Sequence, residues 1–143
     1  MYKRDISLYI VDIFIAIDKI GRYTKNFDNA QDLLYSELEW DGTLRELEII
    51  GEATNYLLKE GYLSSDYRRI VDFRNQIIHG YFGIDENIVF DVIKNKLPKY
   101  YQDLIIIAKN TNLLKAIKSA KIENEKNQNV LKFLNDLEKE IEE

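Results

Sequence analysis

The feature that most limits this chain's fold is the spacing of its apolar residues, which recur every third or fourth position through almost every segment. Ile6, Tyr9, Ile10, Ile13, Ile17 and Ile20 fall on one face of a first helix, with Gly21 near its end and a loop over 25–29. A short helix is expected over 30–37. From Thr43 the series Leu44, Leu47, Ile50, Ala53 or Thr54, and Leu57 predicts a longer helix that stops before Gly61. Ser64 or Ser65 offers the N-cap of a fourth helix, with Asp66 just inside, where its charge suits the helix dipole. That helix buries Ile70, Phe73 and Ile77, carries His79 in its last turn, and meets Gly80 where a left-handed C-cap is expected. Asp85 is placed to cap a fifth helix running to about residue 110, kinked or restarted at Pro98, which lacks an amide donor. No alternating strand pattern competes. The expected fold class is all-α.

Residues 111–143 differ in kind. They are rich in Lys, Glu and Asn, with Val130, Leu134, Leu137 and Ile141 as a thin apolar seam. A seam that narrow suits one partner helix, in the same chain or a second one, and the alternative is a frayed charged tail. The chain therefore reads as a helical domain over 1–110 followed by a C-terminal helical extension over 111–143.

Composition removes whole classes of function. A length of 143 residues is one domain's worth. No window holds the roughly 18 apolar residues of a membrane span. Asp5 and Asp12 interrupt the apolar N-terminal stretch, so it reads as an amphipathic helix and not a signal peptide. With no Cys there are no disulfides, thiolate zinc sites or Cys nucleophiles. With a single His as well, any metal site would have to be built of carboxylates. The expectation is a cytoplasmic protein without metal or cofactor. The net charge of −5 weighs against generic nucleic-acid binding, which rests on a basic patch, although a local patch can exist on an acidic whole.

Chemistry-bearing motifs are few. The chain has no Gly-rich phosphate loop, paired-His zinc signature or GxSxG elbow. What remains is Arg74-Asn75-Gln76-Ile77-Ile78-His79-Gly80-Tyr81. Alone it is weak, since a helix-end imidazole that answers the C-terminal dipole needs no further role.

That segment resembles the Arg-x-x-x-x-His-x-Tyr signature of HepT-like toxins, within the HEPN superfamily of helical ribonucleases. Three further blocks stand in the order the family has them: Tyr9 to Ile13 with Ala16, Ile17 and Tyr23; Leu47-Glu48-Ile49-Ile50-Gly51-Glu52-Ala53; and Tyr81 to Asp85 with Leu97-Pro98. The likeness covers roughly residues 5–108. Leu63-Ser64-Ser65-Asp66-Tyr67-Arg68 replaces the Pro- and Trp-containing lead usual before the motif helix. The resemblance implies a HEPN-type up-and-down helical bundle with an extra C-terminal helix, and metal-independent cleavage of RNA at the cleft of a homodimer. It further implies a toxin of a toxin–antitoxin system, held in check by a nucleotidyltransferase antitoxin that adenylylates Tyr81.

Elementary chemistry agrees. Cutting RNA without a metal requires the 2′-hydroxyl to lose a proton and the 5′-oxygen to gain one. A His can do either near neutral pH. An Arg fork can hold a phosphate and stabilise its growing charge. Arg74 is thus expected as the phosphate clamp and His79 as the proton-transfer group. With one His per chain, separate acid and base imidazoles require two chains. A five-residue step sets Arg74 and His79 about 140° apart on an ideal helix. Either the Arg wraps round, or it meets the His of the other chain, or the helix end unwinds near Gly80. Asn75 is expected to contact phosphate or orient His79, and Glu52 to be a buried carboxylate orienting Arg74. Arg68 and Arg69 are expected to supply a local positive field for RNA. The rival reading, which suits the acidic charge better, is a non-catalytic helical partner that presents substrate or nucleotide to a nucleotidyltransferase.

Overall fold

Caps and breakers divide the chain largely where the apolar spacing predicts. A computed structural model describes residues 4–80 and 83–142. Asp5 caps α1 (Ile6–Thr24) by accepting from the Ser7 amide at 2.8 Å. Asn29 caps α2 (Ala30–Leu34) in the same way. Helix α3 (Glu37–Lys59) begins earlier than its apolar stripe and takes in Trp40 to Gly42. The reason lies at Ser36, whose carbonyl accepts from the Trp40 amide at 2.8 Å while its hydroxyl donates to the Glu39 carboxylate.

The fourth helix begins later than expected. Ser64 makes no side-chain cap, and a 3₁₀ turn, Ser65–Tyr67, leads into α4 (Arg68–His79). That turn is anchored by Tyr67, whose hydroxyl donates to the Asp103 carboxylate. Burial, and then Asp103 itself, push the Tyr67 phenol up to about 12. Asp85 caps α5 (Glu86–Asp91) as predicted, accepting from the Asn87 amide. A π turn over Val92–Lys96 then restarts the chain as α6 (Leu97–Ala108), with Pro98 in its first turn, where no amide is needed. The extension is two helices, α7 (Leu113–Glu123) and α8 (Gln128–Glu142).

Helix α1 is the axis of the core. Ile10, Ile13 and Phe14 are wholly buried on it, and α1 packs against α3, α6, α7 and α8. The seam of α8 is not a frayed tail: Val130, Leu134 and Leu137 are buried and join the same apolar cluster as α1 and α3. Each such side chain contributes about 1.5–3 kcal/mol of burial, and Lys121 ties α7 to α8 through Glu138 at 3.0 Å. Helix α4 packs on α3 and on the turn before it. No strand forms among the described residues, and none of their helices is long and apolar enough to cross a membrane.

One buried hydrogen bond fastens α3 to α6: Thr54 Oγ1 and Tyr100 Oη lie 2.7 Å apart. Thr54→Val strands the Tyr100 hydroxyl in an apolar setting and is expected to cost about 1–3 kcal/mol in chemical denaturation. Adding Tyr100→Phe to that variant should recover part of the loss.

Candidate active site

The motif lies on α4, and the residues opposite it on α3 decide what its side chains can reach. Val71 and Ile77 are buried. Arg74 falls between them on the helical wheel, so a cation is set on the side of α4 that faces α3. The helices can meet there because α3 presents Gly51. A Cβ built on Gly51 would stand 2.2 Å from Arg74 Cβ and 2.5 Å from its Cγ. The long side chain is half-buried and turns toward Asn75, where Nη1 donates to Oδ1 at 3.0 Å. Its Nε is buried without a hydrogen-bond partner, and Arg74 forms no ion pair among the described residues. In the sequence Gly51 stands in a family-like block and inside a helix, a placement that costs about 1 kcal/mol relative to Ala. Such a cost signals a close approach of backbones, which the sequence alone does not locate.

His79 is the last residue of α4 and is exposed. Gly80 closes the helix in the left-handed conformation, φ 56° and ψ 20°, with its amide bonded to the Gln76 carbonyl at 3.1 Å. Asn75 stands one turn before His79 on the same face. The guanidinium, though rooted on the α3 side, is thus directed toward the face that carries the imidazole.

The expected supporting residues do not all gather there. Arg68 shares the face of Asn75 and His79, with Asp72 between them on the same stripe. Arg69 instead lines a separate cleft of about 860 Å³ between α4 and α6, opposite Lys96 and Lys99. Four carboxylates, Asp66, Asp72, Asp91 and Asp103, line that cleft as well, so it is no basic channel. Arg74 and His79 lie outside it. Glu52 corrects an expectation: it is exposed, one position beyond Gly51, and forms no ion pair with Arg74 among the described residues. The buried carboxylate of α3 is Glu46, on the side toward α1. Tyr81 lies outside the described residues. Among the described residues no three His, Cys, Asp or Glu side chains gather as metal ligands.

Residues 13–107 match the family model described as ribonuclease HepT-like. The chain belongs to that HepT-like ribonuclease family. A Methanocaldococcus jannaschii protein named as a candidate RNase is 30% identical over 110 residues, covering 75% of this chain and all of the relative. A Thermococcus cleftensis protein named as a probable ribonuclease HepT is 30% identical over 99 residues, 67% of this chain and 89% of the relative. Another M. jannaschii relative, 30% identical over 108 residues, carries a gamma-glutamylcyclotransferase in its name besides the RNase, and this chain spans 48% of it. No solved structure matches the chain. The family match takes in α3, α4 and the Arg74–His79 motif and stops short of α7 and α8.

Glu46 makes the α1–α3 contact sensitive to pH. Burial is the first cause that lifts its carboxyl above 4.5, offset in part by Lys19, Arg45 and Arg22. Folding therefore favours the protonated form. The stability from this group is full below the unfolded value and is lost as pH rises through the raised folded one. Glu46→Gln is expected to flatten that part of the stability–pH curve, as read by thermal melts between pH 4 and pH 8 at roughly 1 °C precision.

Proposed function

We propose that this chain is a metal-independent endoribonuclease whose phosphate clamp is Arg74 and whose proton-transfer group is His79. The observation that carries this reading is the state of the Arg74 guanidinium. It is half-buried, has no carboxylate partner among the described residues, and is turned toward the His79 face. A cation held partly out of water without a counter-charge is poised for an anion that arrives from outside. The family supplies the anion's class, since relatives carry ribonuclease names.

The reaction follows from the groups. One imidazole takes the proton of the 2′-hydroxyl, the 2′-oxygen bonds phosphorus, and the P–O5′ bond breaks. A second imidazole protonates the departing 5′-oxygen. The guanidinium offsets the charge that builds on the non-bridging oxygens. Because each chain has one His, the proposal places the site between two copies related by a twofold axis. RNA polarity then assigns base to one His79 and acid to its mate. Asn75 orients the guanidinium through its Oδ1, and Arg68 adds positive field on the same face.

The regulatory part of the proposal is that the chain acts in the cytoplasm as a toxin with a nucleotidyltransferase antitoxin. Transfer of AMP to the Tyr81 phenol would place bulk and negative charge two residues from His79.

RNA digestion in EDTA is the decisive measurement. His79→Ala and Arg74→Ala are each expected to lower cleavage by about 100-fold or more while leaving the helical fold and dimer intact. Cleavage by either variant at the wild-type rate would overturn the assignment. If wild-type protein leaves RNA whole across pH 5 to 9 or so, the non-catalytic partner reading, which suits the net charge of −5, takes its place. Mixed dimers of wild-type and His79→Ala chains should be severely impaired; full activity per dimer there rules out a shared site.

A further inference from the structure

We infer that Gly51 of α3 is a positioning residue for RNA cleavage, because its missing side chain sets where the Arg74 guanidinium stands. The inference rests on the nuclease reading above and adds a residue that does not touch the substrate.

Non-bonded carbons sit best about 3.5–4.0 Å apart. A methyl group at Gly51 would meet Arg74 Cβ at 2.2 Å and Cγ at 2.5 Å, whereas Arg74 Cα, at 3.6 Å, would be in ordinary contact. The conflict is therefore with the Arg74 side-chain root and not with the backbone of α4. A side-chain root cannot swing aside as a flexible tip can, so relief requires α4 to shift or Arg74 to change its path. Room exists for the helix to shift. The cleft of about 860 Å³ flanks α4 along Ile70, Phe73 and Gln76, and the main packing of α4 is with α3 and its own leading turn. Arg74 then leaves its place beside Asn75. Displacements of about 1 Å in a positioning group cost on the order of 100-fold in rate. The other helical glycines differ in kind: a Cβ on Gly21 meets nothing within 4 Å, and one on Gly42 meets only the Tyr23 ring, at 3.2 Å.

The test is a set of full-length variants assayed on an RNA that the wild type cuts. Gly51→Ala is expected to lower kcat by about 30-fold or more, with KM held within about threefold and the helical content unchanged. The Nε–Hε resonance of Arg74, identified by its loss in Arg74→Lys, should shift in the same variant. Gly21→Ala should cleave as the wild type does. Wild-type kcat in Gly51→Ala, with Arg74→Ala inactive, would overturn the inference and leave the nuclease reading standing. Full activity in Arg74→Ala would overturn both.

Should Gly51→Ala melt too low to assay, Arg74→Gly supplies the second arm, since it removes the Cβ and Cγ in conflict. In that background Gly51→Ala should change Tm by less than about 2 °C, against a loss of roughly 5–10 °C in the wild-type background. An equal loss in both backgrounds would show that the contact is not with Arg74, and the inference would fall.

Discussion

The structure turns on the place where α3 and α4 meet at Gly51 and Arg74. Most helix contacts are settled by interlocking apolar side chains. Here a glycine faces the root of an arginine, and the helices close on each other because one of them offers no side chain. The contact forces a cation into the side of α4 that also buries Val71 and Ile77. Partial burial of a charge with no ion-pair partner among the described residues works against stability, and Asn75 compensates only one of its nitrogens. Under the proposed reading, the stability given up at this spot leaves the guanidinium available to an anionic substrate.

The proposed site also reconciles an acidic chain with a polyanionic substrate. Net charge governs long-range approach, whereas at the proposed site a scissile phosphate would meet only the α4 face that each of two chains contributes. On that face Arg68, Asn75 and His79 follow one another, and Asp72 is the acid among them. Arg69 looks like Arg68 in sequence, yet a rotation of about 100° on the helix sends it to a different surface, a cleft whose charges are mixed.

The extension beyond the family match is part of the same core. Helix α1 packs against α3 and also against α7 and α8, so the last helices close the side of α1 that α3 leaves open. Residues 111–143 differ from the rest in composition and not in their solvent. The reason their seam is thin is geometric. Val130, Leu134 and Leu137 fill a trough already formed by other helices, and a two-helix hairpin with charged outer faces is enough to cover it.

Much of this was legible in the residues alone. The three-and-four spacing established an all-helical chain, and local chemistry placed its breaks, as at Asp85, Pro98 and Gly80, because caps and breakers act through neighbours within a turn. The motif from Arg74 to His79 could be singled out, since the chain has a single His and few other reactive groups. Where a break depended on a distant residue the reading missed. The start of α4 is held by Tyr67 on Asp103, which is 36 positions away, and no local signal announces that bond. Glu52 and Glu46 are likewise indistinguishable by type, and only the packing of α1 against α3 exposes one and buries the other. The order of residues therefore fixes which side chains can carry chemistry and which segments are helices. The place of Arg74 comes only from packing, because a close approach between helices is a property of two surfaces, and neither segment encodes the distance to its partner.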